Sequence, residues 1–208
     1  MTAIAASCQC TGGASQNGEV ADAQLAAVEL YWLPLGAGGR SVRVNGKVFE
    51  WIESKRARRA ARDLYHSALE IRLPRARFVI EMTPAARAPA LHGVVAAGTV
   101  GVRAPLVRYE VRCWLDGVIP DVDEAVSSPL RLSEDDGSAR RVLELAPRVP
   151  TPVWGRDELG TGEMWNSNSI VSWLVESAGL DAGRIGLPPG GRAPGWDAGI
   201  AVARRGTV

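Results

Sequence analysis

Several things are scarce in this 208-residue chain, and each scarcity excludes something. There are three cysteines, Cys8, Cys10 and Cys113. That is too few and too unevenly spaced for a disulfide framework, and Cys8-x-Cys10 lacks the Cys/His partners a zinc site needs. There are two histidines, His66 and His92, so any imidazole chemistry rests on one of them. Net charge is +1, from 24 basic and 23 acidic residues, which gives no electrostatic reason to expect nucleic acid or an anionic membrane as partner. No apolar run reaches membrane-spanning length, and Met1-Thr-Ala-Ile-Ala-Ala lacks the basic start of a secretory signal, so a cytoplasmic protein is the expectation. Phosphate-loop and dinucleotide spacings are absent around Gly36-Ala-Gly-Gly39, and no cofactor or metal is expected. Two phenylalanines stand against seven tryptophans, which points to a core or a groove built on indoles.

What is present reads as a leader over residues 1–20, small and polar, followed by one domain over residues 21–208. Ala26–Leu33 is aromatic and branched and is stopped by Pro34, as a strand would be. Ser41–Val44 and Lys47–Phe49 flank Asn45-Gly46, a tight-hairpin signal. Lys55, Arg56, Arg58, Arg59 and Arg62 form a basic run; a nucleic-acid patch and a solvated helix face both fit it, and the charge balance favours the second. Leu64–Ile71 and Arg77–Met82 read as strands about a turn at Pro74-Arg75, with Thr83 about opposite His66 and Glu81 diagonal to it. A short strand is expected from Gly93-Val94-Val95 to Gly101-Val102-Arg103. Val107–Trp114 alternates, with Val107, Tyr109, Val111 and Cys113 on its inner side. A helix is expected over Ala139–Ala146, capped by Ser138 or the acidic residues before it, and a last strand over Trp196–Ala203.

The segment with chemical promise is Trp165-Asn166-Ser167-Asn168-Ser169-Ile170-Val171-Ser172-Trp173-Leu174. Ser and Asn can cap a helix, and Ser167, Ile170, Val171, Leu174 and Ala178 share one face at helical spacing. Gly179-Leu180 reads as the left-handed stop. A hydroxyl at the start of that helix would meet free N–H groups and the positive end of the dipole, both favourable to a developing oxyanion. The same residues also suffice for capping alone. A serine nucleophile needs a base, and His66, at the head of a strand, has the better context of the two histidines.

Leu64-Tyr65-His66-Ser67-Ala68-Leu69-Glu70 and Asn166-Ser167-Asn168-Ser169-Ile170, in that order, resemble the two motifs of circularly permuted papain-like proteins. These are the PPPDE-type deubiquitinases and deSUMOylases and, more distantly, the lecithin:retinol acyltransferase and NlpC-type groups. There a Tyr-His-Thr strand precedes an Asn-Cys-Asn-x-Phe helix start. The resemblance spans roughly residues 28 to 178 and also extends to uncharacterised bacterial proteins with the Trp-Asn-Ser-Asn-Ser phrase. It implies an α+β permuted papain-like fold, an antiparallel sheet or partial barrel packed on the Ser167 helix. It implies a hydrolase or acyltransferase of amide or ester bonds acting on a peptide, protein or acyl substrate. His66 would be the base and Glu81, or else Asp63 or Glu70, its orienting partner; Asn166 and Asn168 would help hold the oxyanion, and Trp165 and Trp173 would wall the groove. The departure is Ser167 where the family has cysteine. Three readings follow: a serine-variant enzyme, a silent binding domain that has lost its nucleophile, or a serine introduced in place of the thiol.

Overall fold

The computed structural model describes residues 25–35, 60, 62–85, 93–100 and 108–206. The leader, the Asn45-Gly46 hairpin, Lys55–Arg59, His92, Cys8, Cys10 and Val107 lie outside the described residues.

The architecture is α+β. Strands β1 (Ala27–Pro34), β2 (Asp63–Leu73), β3 (Ala76–Pro84), β4 (Val94–Thr99), β5 (Arg108–Leu115) and β6 (Leu130–Ser133) form a sheet in the order β4-β5-β3-β2-β1-β6, every pair antiparallel. A two-residue strand, β7 (Gly191–Arg192), pairs in parallel with the first residues of β2. Pro74-Arg75 turns β2 into β3, as the sequence predicts. Among the described residues the α-helices are α1 (Asp136–Leu145), α2 (Ser167–Ser177) and α3 (Trp196–Arg204).

Alternation along the strands divides the sheet into two faces. On one, Leu30, Trp32, Leu69, Ile71, Ile80 and Val111 are fully buried against the helices. On the other, Tyr31, Leu33, Ala68 and Val79 are covered by Ile119 and Trp114. This second face also carries a charged network in which Glu29, 2% exposed, receives both Arg72 and Arg131, while Glu70 holds Arg72 and Arg77. Buried carboxylates persist only with such partners.

Helix α1 is capped by Asp135, which accepts from the Ser138 N–H at 2.7 Å, so the acidic residue and not Ser138 does the capping. Helix α2 is buried all round, from Asn168 to Val175, between the sheet and α3. Its stop is the predicted one: Gly179 has φ +84° and the Leu180 N–H donates to the Val175 carbonyl at 3.0 Å.

The expected last strand, Trp196–Ala203, is helix α3. Short apolar runs fit either period, and packing decides this one. Gly199 lets α3 lie directly on α2: a Cβ there would stand 2.1 Å from both the Ser169 carbonyl and the Ser172 hydroxyl. Ser172 Oγ donates to the Trp196 carbonyl at 2.7 Å and Ser169 Oγ to that of Gly195 at 2.8 Å, fixing the crossing. Among the described residues no helix is long and apolar enough to cross a membrane.

Candidate active site

The Asn-Ser-Asn-Ser segment assigns a separate duty to each side chain. Asn166 is the N-cap: its Oδ1 accepts from the N–H of Asn168 at 2.9 Å and of Ser169 at 3.4 Å, and the Ser169 hydroxyl accepts in return from the Asn166 N–H at 3.1 Å. Asn166 Nδ2 donates to the Pro194 carbonyl at 2.8 Å. Asn168 points into the protein, 2% exposed. Its Oδ1 accepts from the Ser67 hydroxyl at 2.8 Å, and its Nδ2 donates to the carbonyls of Tyr65 at 2.9 Å and Pro194 at 3.0 Å. Both amides assigned to an oxyanion are therefore occupied by structural bonds.

Ser167 is left. It is half-buried, and among the described residues neither its Oγ nor its N–H makes a hydrogen bond. The other first-turn N–H groups are taken, those of Asn168 and Ser169 by the Asn166 side chain and that of Ile170 by the Asn166 carbonyl at 3.2 Å. One hydroxyl and one backbone donor thus stand together at the positive end of a buried helix.

Asn168 docks where it does because the sheet parts there. The β2–β3 ladder runs from Leu73↔Ala76 only as far as Leu69↔Ile80, although β3 continues to Pro84 on β5. The register agrees with the expectation of Thr83 near His66, but no ladder joins them. Beyond Leu69 the Tyr65 carbonyl has no β3 partner, and the Asn168 amide takes it. The start of α2 consequently sits at a notch between β2 and β3, with Asn168 bonded to the residues on both sides of His66.

His66 lies opposite Leu33 of β1. Burial lowers its imidazole below the usual range, and the Asp121 carboxylate opposes that effect, so the ring is neutral near pH 7 and able to accept a proton. Tyr65 and Ser67 belong to the helix-bearing face; by alternation His66 belongs to the other, with Ala68. Among the described residues no hydrogen bond joins His66 to Ser167 or to Glu81. Glu81 is half-buried across from Arg112, and burial raises its carboxyl against the pull of that guanidinium. Of the alternative partners, Glu70 is bound to Arg72 and Arg77, and Asp63 is exposed at the head of β2.

Trp165 does not wall a groove. It is 2% exposed and Trp173 fully buried; both are core residues, as are Trp32 and Trp196. Cys113 is half-buried and burial pushes its thiol up to about 11, which makes it an apolar filler and not a nucleophile. Among the described residues no group of His, Cys, Asp and Glu could hold a metal ion.

Two carboxylates that spacing does not reveal border the site. The charge of Asp121, in the loop after β5, acts on both His66 and Glu81, with no hydrogen bond or ion pair to either. Glu163 accepts from the Gly195 N–H at 2.8 Å and ties the segment before Asn166 to the start of α3; burial raises its carboxyl. Both lie in loops whose approach to the sheet is fixed by tertiary packing, so no sequence period marks them. No family model, no curated protein and no solved structure matches the chain.

Proposed function

We propose that this chain is a hydrolase or acyltransferase of amide or ester bonds, built on a circularly permuted papain-like fold, with Ser167 as nucleophile and His66 as base. The observation that carries the reading is the Asn168 bracket. One buried side chain, adjacent to Ser167, bonds to Tyr65 and Ser67, the two neighbours of His66. The α+β architecture and the order of the two motifs agree with it. In this reading Ser167 Oγ attacks a carbonyl carbon while His66 takes its proton. The tetrahedral oxyanion turns toward the free Ser167 N–H, and the imidazolium returns the proton to the leaving group. Water or an acceptor nucleophile then releases the acyl group by the same steps. The substrate is a peptide, protein or acyl compound with an accessible carbonyl.

A fluorophosphonate probe tests this. Labelling of the full chain, lost in Ser167→Ala and in His66→Ala, is the expected result. Labelling that persists in Ser167→Ala contradicts it.

A second reading, a catalytically silent binding domain of the same fold, is favoured by one observation: strand alternation assigns His66 to the face opposite α2, and no hydrogen bond connects it to Ser167. Absence of labelling together with absence of turnover of simple esters is what that reading predicts.

A further inference from the structure

We propose that Glu163 is a positioning residue for the candidate site, holding the start of α2, and with it Ser167, through the Pro194-Gly195 turn; this rests on the reading of Ser167 given above. Two consecutive carbonyls of that turn carry the polar side chains of the motif. The Pro194 carbonyl accepts from Asn166 Nδ2 at 2.8 Å and from Asn168 Nδ2 at 3.0 Å, and the Gly195 carbonyl accepts from Ser169 Oγ at 2.8 Å. Of the four polar side chains from Asn166 to Ser169, three are tied to this turn, and the fourth is Ser167. Its own Oγ and N–H make no hydrogen bond among the described residues, so its neighbours set its place.

Gly195 is also the N-cap of α3, and that helix carries neither half of a capping box. The N-cap has no side chain, and the third helical residue, Ala198, has no acceptor to return to the N-cap N–H. Glycine is required at position 195 twice over. Its φ is +84°, and a Cβ there would stand 2.6 Å from both Asn166 Oδ1 and Ser169 Oγ. The close approach of the turn to the start of α2 thus leaves the Gly195 N–H to be met from outside the helix. Glu163 meets it: Oε2 accepts from that N–H at 2.8 Å.

The carboxylate comes from a braced segment. Asp157 Oδ1 accepts from the Thr161 N–H at 2.7 Å, and Thr161 Oγ1 donates to the Glu163 carbonyl at 3.1 Å. On the other side of Glu163, the Gly155 N–H donates to the Trp165 carbonyl and the Trp165 N–H to the Arg156 carbonyl, both at 2.9 Å. A ring of contacts results. The main chain runs three residues from Glu163 to Asn166, the Asn166 amide bonds to Pro194, and the Gly195 N–H bonds back to Glu163. Removing the carboxylate opens the ring at the only link made by a side chain from before the motif. The turn is then free to shift under Asn166, Asn168 and Ser169 together.

The test follows the side-chain amide protons of Asn166 and Asn168 by NMR hydrogen exchange on the full chain. Val142→Ala, a core change in α1, serves as the control for general loss of stability. In Glu163→Ala both amides are expected to exchange faster than in that control, and in Glu163→Gln, which keeps an acceptor, to stay near wild type. Glu163→Asp, whose shorter side chain falls short of Gly195, is expected to follow Glu163→Ala and replaces it if the alanine variant does not fold. Fluorophosphonate labelling is expected to slow about tenfold or more in Glu163→Ala and to recover in Glu163→Gln. Amides that exchange no faster in Glu163→Ala than in Val142→Ala overturn the proposal, as does a Glu163→Gln protein that labels as slowly as Glu163→Ala. If the amides loosen as expected but the wild-type chain never labels, the hold of Glu163 on the start of α2 stands and the nucleophile reading fails.

Discussion

Asn168 and Ser67 stand 101 positions apart in the chain and meet at 2.8 Å, hydroxyl to amide oxygen, inside the protein. The same amide donates to the Tyr65 carbonyl, which the early end of the β2–β3 ladder leaves without a strand partner. This contact joins the helix start to the sheet at the two neighbours of His66.

Asn168→Ala is expected to cost about 2–4 kcal/mol, because it strands a buried hydroxyl and buried carbonyls as well as removing their bonds. Urea denaturation should show a lower midpoint with an unchanged slope. A loss within about 0.5 kcal/mol, the range of ordinary surface changes, contradicts the docking role.

Gly199→Ala should destabilise even though alanine favours a helix by about 1 kcal/mol over glycine. The added Cβ would collide with the Ser169 carbonyl and the Ser172 hydroxyl, and overpacking of this kind costs about 1–3 kcal/mol. Thermal unfolding of this variant checks the α2–α3 contact. A raised Tm would mean that the two helices stand apart.

Much of this architecture is legible in the chain itself. β1, the β2–β3 hairpin, α1 and α2 are read from local signals: Pro34 as a stop, Pro74-Arg75 as a turn, Asp135 and Asn166 beside apolar periods, and Gly179 as a left-handed terminator. Trp196–Ala203 is misread because small and branched residues in a short run suit both periods, and only the neighbour across Gly199 chooses the helix. The site is legible in part. Its two motifs stand out, but the notch beside His66 depends on where a ladder ends, and no spacing encodes that. Asn166 and Asn168, apt as oxyanion donors by type, are occupied by capping and docking.

Glu163 has a pH signature. Burial raises its folded carboxyl above the unfolded value near 4.5, so the native state binds the extra proton as pH falls through that window. The stabilisation is complete below the unfolded value and is lost as pH rises through the folded one. Glu163→Gln keeps an acceptor for the Gly195 N–H without the charge. Its Tm advantage over wild type should be largest near pH 7 and shrink toward pH 4; a constant difference contradicts the raised carboxyl.

Cys113, with its thiol pushed up to about 11, should resist iodoacetamide at pH 8 in a chain carrying Cys8→Ser and Cys10→Ser, and react once the protein is unfolded in urea. Alkylation of the folded protein at the rate of a free thiol would show that β5 does not bury it.

The central claim is that the start of α2 and the imidazole of β2 act on the same atom. The direct measurement replaces Ser167 by cysteine in a chain with Cys8→Ser, Cys10→Ser and Cys113→Ala, and follows iodoacetamide alkylation against pH. The account predicts a thiol that ionises below the ordinary value of about 8.5 and returns to it in His66→Ala. A thiol that ionises at or above the ordinary value, indifferent to the loss of His66, would contradict it.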